Sequence, residues 1–75
     1  MQARRSNLVV AAAVRSRRQA LKLSQEELAE RCHLHRTYIG SVERGEGNIT
    51  LDTLDKLAKA LGVKPFELVR GESVR

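Results

Sequence analysis

The stretch Ser24-Gln25-Glu26-Glu27-Leu28-Ala29-Glu30-Arg31-Cys32, then His33-Leu34-His35, then Arg36-Thr37-Tyr38-Ile39-Gly40-Ser41-Val42-Glu43-Arg44-Gly45 decides the fold. Its opening is a capping box. The Ser24 hydroxyl can accept from the Glu27 amide while the Glu27 carboxylate reaches back to Ser24 N–H. Glu26 and Glu27 also suit the positive end of a helix dipole. A short helix over about Gln25 to Cys32 follows, with Leu28 and Ala29 inward. A second runs from about Arg36 to Arg44 and closes on Gly45, which tolerates a left-handed backbone. Only His33, Leu34 and His35 separate them, the spacing of a helix-turn-helix. With Arg36 at zero and about 100° per residue, Arg36, Gly40, Arg44, Thr37 and Ser41 fill an arc of roughly 140°. Tyr38, Val42 and Ile39 fill the apolar side. A polar face of small residues is what insertion into a major groove needs. An ordinary amphipathic surface helix has the same pattern.

Outward from this core, the punctuation predicts three more helices. Ser6 or Asn7 can cap a first helix ending near Leu21, with Val10, Val14 and Leu21 on one face. Beyond the loop Glu46-Gly47-Asn48-Ile49, Thr50 caps a fourth helix whose stripe is Leu51, Leu54, Leu57, Ala58 and Leu61. Gly62 ends it, and Val63 can fold back on Leu57 or Ala58. Pro65 opens a fifth helix over Pro65 to Val69. No strand pattern competes. The fold class expected is all-α, a compact five-helix bundle over residues 7–70, with a flexible N-terminal arm at 1–6 and a C-terminal tail at 71–75.

The chain has 75 residues and a net charge of +5, from 14 Lys plus Arg against 9 Asp plus Glu. Chains this short bury roughly 60% of their unfolded surface, which disfavours a large-cavity enzyme. At 41% the apolar fraction is too high for a disordered chain. Residues 1–24 carry +6, 25–32 carry −2, 33–50 balance, and 51–75 carry +1. The excess therefore lies ahead of the helix-turn-helix, where it can steer toward phosphate. The longest apolar run, Leu8 to Val14, is far shorter than the ~20 residues of a membrane span, and it lacks the layout of a secretory signal. One cysteine excludes an internal disulfide scaffold and fits a reducing compartment. Nucleic acid is the leading partner class and the cytoplasm the expected location.

Leu23-Ser24-Gln25-Glu26-Glu27-Leu28-Ala29, Arg36-Thr37-Tyr38-Ile39, Val42-Glu43-Arg44-Gly45 and Leu57-Ala58-Lys59-Ala60-Leu61-Gly62-Val63 occur in order. Together they resemble the lambda-repressor/Cro-like (XRE) helix-turn-helix family over about Val10 to Val69. Arg36-Thr37-Tyr38-Ile39 and the size most resemble controller proteins of restriction–modification systems. The resemblance implies a sequence-specific DNA-binding transcription regulator, a homodimer on a palindromic operator, with helix 36–44 in the major groove. It implies base contacts from Arg36, Thr37, Ser41 and Tyr38, although Tyr38 has an equal structural reading as a packing residue. Arg36 is the main reader, since its planar fork suits guanine. It implies phosphate contacts from Gln25, Arg44, Asn48 and Thr50, with Arg44 also suited to favour the helix C-terminus. Arg18 and Glu43 match a pair that bridges the first and third helices. Glu26 and Glu30 match positions with which lambda-type activators touch RNA polymerase; their plain reading is a solvated face.

The sequence departs from the family pattern at three places. His33 stands where glycine is usual, and His35 where a serine or threonine cap is usual, so the third helix is expected to be weakly capped. Gly47 stands where controller-like relatives carry arginine, so no contact is carried over from it. The apolar end residues Val63, Phe66, Leu68 and Val69 are the expected dimer interface.

Cys32, His33 and His35 could suggest a metal site, but three groups in four residues without a fourth do not match structural zinc spacing. They read as a buried thiol and turn histidines, with no metal and no cofactor. No nucleophile–base constellation or phosphate loop is present, so no enzyme is expected. A rival function is an antitoxin-type interaction module that also binds DNA. A toxin gene beside it or a co-purifying second chain would mark that role.

Overall fold

A computed structural model describes residues 2–70, with only the helical backbone described for 2–6. Five helices follow one another: α1 Gln2–Ala20, α2 Gln25–Cys32, α3 Arg36–Glu43, α4 Leu51–Leu61 and α5 Pro65–Val69. Helix α1 starts earlier than the cap residues suggested. Gln2 to Ala20 holds neither glycine nor proline and is rich in alanine and arginine, so nothing interrupts it. Ser6 and Asn7 are therefore interior residues, and residues 2–6 extend α1 instead of forming an arm. Residue 1 and the tail 71–75 lie outside the described residues.

The core forms where the apolar faces converge: Val10 and Val14 from α1, Leu28, Ala29 and Cys32 from α2, Ile39 and Val42 from α3, Leu54, Leu57, Ala58 and Leu61 from α4, and Leu68 from α5. Each fully buried aliphatic side chain contributes about 1.5–3 kcal/mol. The Cys32 thiol points into this core and donates to the Lys56 carbonyl at 3.8 Å. Burial pushes its pKa up, and nearby Lys56 offsets this only in part. Two stripe predictions fail. Leu51 is 84% exposed, because the first position of α4 projects past the end of the core. Leu21 is exposed because α1 has already unwound at Ala20.

The caps decide where helices turn. Both halves of the Ser24–Glu27 capping box form, at 2.9 and 2.8 Å. Leu23 and Leu28 flank it, both buried, at the positions of a hydrophobic staple. Helix α2 ends with His33 in the left-handed region at φ 60° and Leu34 N–H on the Ala29 carbonyl, a Schellman closure made without glycine. His35 does cap α3: its Nδ1 accepts the Thr37 N–H at 3.1 Å. An unprotonated imidazole nitrogen is a competent acceptor, which the Ser/Thr preference does not cover. Arg17 Nε donates to the Leu61 carbonyl at 3.0 Å, placing a cation at the C-terminus of α4.

Gly45 lets the chain leave α3. Its φ is +75°, and a methyl there would sit 2.7 Å from Leu8 Cδ2 of α1. Gly45→Ala is expected to lower stability by about 1–2 kcal/mol through the left-handed backbone. Gly47→Ala, at φ +73° with open space around it, isolates the backbone cost. Thermal melts of the two variants measure both; the Gly45 variant is expected to melt lower, and equal melting temperatures would mean that Leu8 yields freely.

Candidate nucleic-acid interface

Helices α2 and α3 are held at a fixed angle by a polar network at one edge of the core. Arg18 of α1 grips Glu43 of α3 with two hydrogen bonds, Nε to Oε2 at 2.6 Å and Nη2 to Oε1 at 2.9 Å. Its third arm, Nη1, donates to the Leu23 carbonyl at 2.8 Å, in the turn before α2. Gln25, the first residue of α2, donates Nε2 to Glu43 Oε1 at 3.1 Å. One carboxylate thereby joins three helices. The expected Arg18–Glu43 pair is thus present, in the planar fork geometry that favours arginine.

Glu43 is almost dry, its side chain 4% exposed and that of Arg18 13%. Burial, the largest single influence, pushes the Glu43 carboxyl pKa up. Hydrogen bonds from Arg18 and Gln25 and the charges of Arg18 and Arg15 together outweigh it and hold the group below its ordinary value. Glu43 is therefore ionised at neutral pH, and its charge is satisfied.

What this frame presents to solvent is the N-terminal part of α3. Arg36 and Thr37 are exposed, and among the described residues neither side chain makes a hydrogen bond or ion pair. The Thr37 amide is occupied by His35, but its hydroxyl is not. Gln25 at the start of α2 is exposed as well, as are Asn48 and Thr50 in the α3–α4 connection. Positions expected to meet DNA thus lie at the start of α2, along α3 from Arg36 to Arg44 at its end, and in the loop before α4.

Ser41 and Gly40 depart from the sequence reading, whereas Tyr38 and Thr50 take the packing and capping roles that it also gave them. Ser41 is half-buried, and its hydroxyl donates to the Tyr38 carbonyl at 2.7 Å, leaving it only as an acceptor for a base edge. Tyr38 packs on the core, and its phenol donates to the Asn48 carbonyl at 3.3 Å, tying α3 to the following loop. The Thr50 hydroxyl is engaged in capping, accepting the Thr53 N–H and donating to Thr53 Oγ1, both at 3.1 Å. Gly40, placed by the helical wheel on the outer arc, is buried. A methyl at Gly40 would approach Arg44 Nη1 to 3.3 Å and Gln25 Oε1 to 3.7 Å. Its bare Cα thus makes room for these two side chains and not for an approaching surface.

Two contacts were not anticipated. Asn7 of α1 donates to the Gly47 carbonyl at 2.7 Å, fastening the loop that carries Asn48. Glu46 pairs with Arg44, Nε to Oε2 at 3.1 Å. The reversal at Gly45 brings positions two apart together, a proximity that helix spacing rules do not foresee.

At the far end of the molecule, α5 turns Phe66 and Val69 outward, each 50% exposed, with the Arg70 guanidinium 5.7 Å from the Phe66 ring centre. Leu68 must be removed from the expected dimer surface. It is 2% exposed and belongs to the protomer's own core, because two residues from Phe66 on a helix is the opposite face. Val63 is half-buried against that core. Glu26 and Glu30 are exposed on α2, whereas Glu27 between them is committed to the cap. No helix among the described residues is long and apolar enough to cross a membrane.

Comparison with known proteins agrees with this geometry. Residues 14–68 match the helix-turn-helix family. Control protein C.SmaI of Serratia marcescens is 52% identical over 67 residues, 89% of this chain and 80% of that protein. Control protein C.BamHI of Bacillus amyloliquefaciens is 55% identical over 47 residues, 63% of this chain and 58% of that protein. The crystal structure of the restriction-modification controller protein C.AhdI from Aeromonas hydrophila matches with a TM-score of 0.79 at 44% identity, covering 83% of this chain and 94% of that one. The chain belongs to the helix-turn-helix family and is a DNA-binding transcription regulator homologous to the restriction–modification controller proteins.

Proposed function

We propose that two copies of the chain bind a palindromic operator, each placing the start of α3 in the major groove, and that the regulated genes belong to a restriction–modification system. The observation that carries the reading is the division of labour on α3. Its inner face is clamped through Glu43 to α1 and α2, while Arg36 and Thr37 at its outer start stand unengaged. Arg36 and Thr37 read base edges, with Ser41 as an acceptor. Gln25, Arg44, Asn48 and the N-terminal amides of α4 at Thr50 hold phosphate. Tyr38 acts mainly by fixing the loop. No cofactor enters this scheme, the role is that of a regulator and not an enzyme, and such work is done in the cytoplasm.

One small domain reads only a few base pairs, so affinity calls for a second copy. Phe66 and Val69 on α5, with Val63 beside them, supply the apolar contact for it. Glu26 and Glu30 remain free on α2 for a contact with RNA polymerase. Selection of bound duplexes from a random pool, with sedimentation of the protein over micromolar concentrations, tests the reading. The expected result is a palindrome with half-sites about 10 bp apart and a monomer–dimer equilibrium. An unselected pool, or a single asymmetric site bound by monomer, would overturn it.

A further inference from the structure

Arg44 is not free in the unbound protein. Its Nε is paired with the Glu46 carboxylate at 3.1 Å, and its Nη1 lies over the bare Cα of Gly40, beside the Gln25 amide oxygen. The pair is open to water, with side chains 60% and 58% exposed. Glu46 sits between two left-handed glycines, Gly45 at φ +75° and Gly47 at φ +73°. This turn folds the carboxylate back onto the residue that ends α3. Glu46 N–H also donates to the Ser41 carbonyl at 2.9 Å, so the backbone that carries the carboxylate is itself fastened. An anion thus occupies Nε, one of the guanidinium donors that a DNA phosphate would use, on a segment whose charge otherwise cancels.

We infer that Glu46 is a positioning residue that competes with the DNA backbone for Arg44. In the free protein it holds Arg44 over Gly40, next to Gln25. On binding, a phosphate oxygen that takes Nε displaces the carboxylate oxygen, and the carboxylate turns outward into solvent. The exchange replaces one charge-assisted hydrogen bond by another, so its net effect on affinity is modest. The cost falls equally on operator and random sequence, so Glu46 sets the overall level of attachment while Arg36 and Thr37 set preference. This rests on the phosphate role of Arg44 proposed above.

A double-mutant cycle tests it, using the duplex selected from the random pool and a scrambled duplex of equal length. Glu46→Gln is expected to tighten binding to both duplexes by about two- to fivefold. In an Arg44→Gln background the same change is expected to have an effect below about 1.5-fold, because the group it releases is gone. Melting temperatures of the wild type and Glu46→Gln should agree within about 2 °C, since an exposed pair adds little to the fold. Equal gains with and without Arg44 would show that Glu46 acts only as a distant negative charge, and the inference would fall. No gain from Glu46→Gln would overturn it as well. If Arg44→Gln alone leaves affinity unchanged while the wild type binds its duplex, the phosphate role of Arg44 fails and the competition with it, but DNA binding stands. A wild type that binds neither duplex would overturn both readings.

Discussion

Arg18→Met is expected to remove a large part of the stability of this domain. The change takes the bidentate partner from a carboxylate that is only 4% exposed in the wild type. Breaking one side of a buried pair costs about 3–5 kcal/mol, because the remaining charge is still desolvated. A domain of this size is stable by only about 4–11 kcal/mol, and the corresponding fall in melting temperature is roughly 15–30 °C. The Leu23 carbonyl loses its donor at the same time, which loosens the entry to α2. Replacing both members, Arg18→Met with Glu43→Leu, is expected to recover much of the loss, because no uncompensated charge stays behind. Thermal melts at neutral pH decide this. A single mutant within about 1 kcal/mol of wild type would show that water reaches Glu43 and that the pair is only a surface bridge.

The same pair gives a pH signature of definite sign. In the wild type, Glu43 is held below its ordinary carboxyl value of 4.5. A depressed folded-state pKa contributes stability that is complete above the unfolded value and is lost as pH falls toward the folded one. Wild-type stability from this source is therefore flat at neutral pH and drops below about 4.5. In Arg18→Met the burial effect on Glu43 is opposed only by Gln25 and Arg15. Protonation then relieves the unpaired charge. The stability gap between variant and wild type is expected to narrow on acidification, and a gap constant from pH 7 to pH 4 would locate the damage in packing.

Much of this architecture was legible because its signals are local. Ser24 with Glu27, Thr50, Gly62 and Pro65 each mark a helix end, and three helices begin or end where those residues stand. The Arg18–Glu43 bridge was reached only through family resemblance, since residues 25 apart carry no local signal of contact. What stayed hidden depends on neighbours in space. A helical wheel sorts Gly40 by angle and cannot know that the start of α2 covers it. The stripe rule assigns Leu51 to the core although α4 enters that core only at Leu54. By sequence alone Leu68 reads like its surface neighbours Phe66 and Val69, because apolar residues one or two apart look alike until one of them joins the core. His35 was underrated because capping preferences describe oxygen acceptors, and here an imidazole nitrogen does the same work.

Arg36→Ala is the complementary case, a large effect on binding with none on folding. Arg36 is the first residue of α3, exposed, and makes no side-chain hydrogen bond or ion pair among the described residues. Its removal leaves the His35 cap, the core and the Glu43 network in place, and alanine is a good helix former at that position. The melting temperature is therefore expected to stay within about 3 °C of wild type. A bidentate contact to guanine discriminates by about 1–3 kcal/mol, so affinity for the selected duplex should fall roughly 5- to 150-fold. Affinity for a scrambled duplex should change far less, by the few-fold that one lost cation costs. Repeating the pool selection with the variant should yield the same palindrome with one position per half-site no longer defined. Gln25→Ala provides the contrast. Gln25 bonds to Glu43 and stands beside Arg44, so its loss should lower stability and weaken both duplexes in parallel. Equal losses on selected and scrambled DNA for Arg36→Ala would instead assign Arg36 to phosphate, and base reading would then have to come from Thr37 and Ser41.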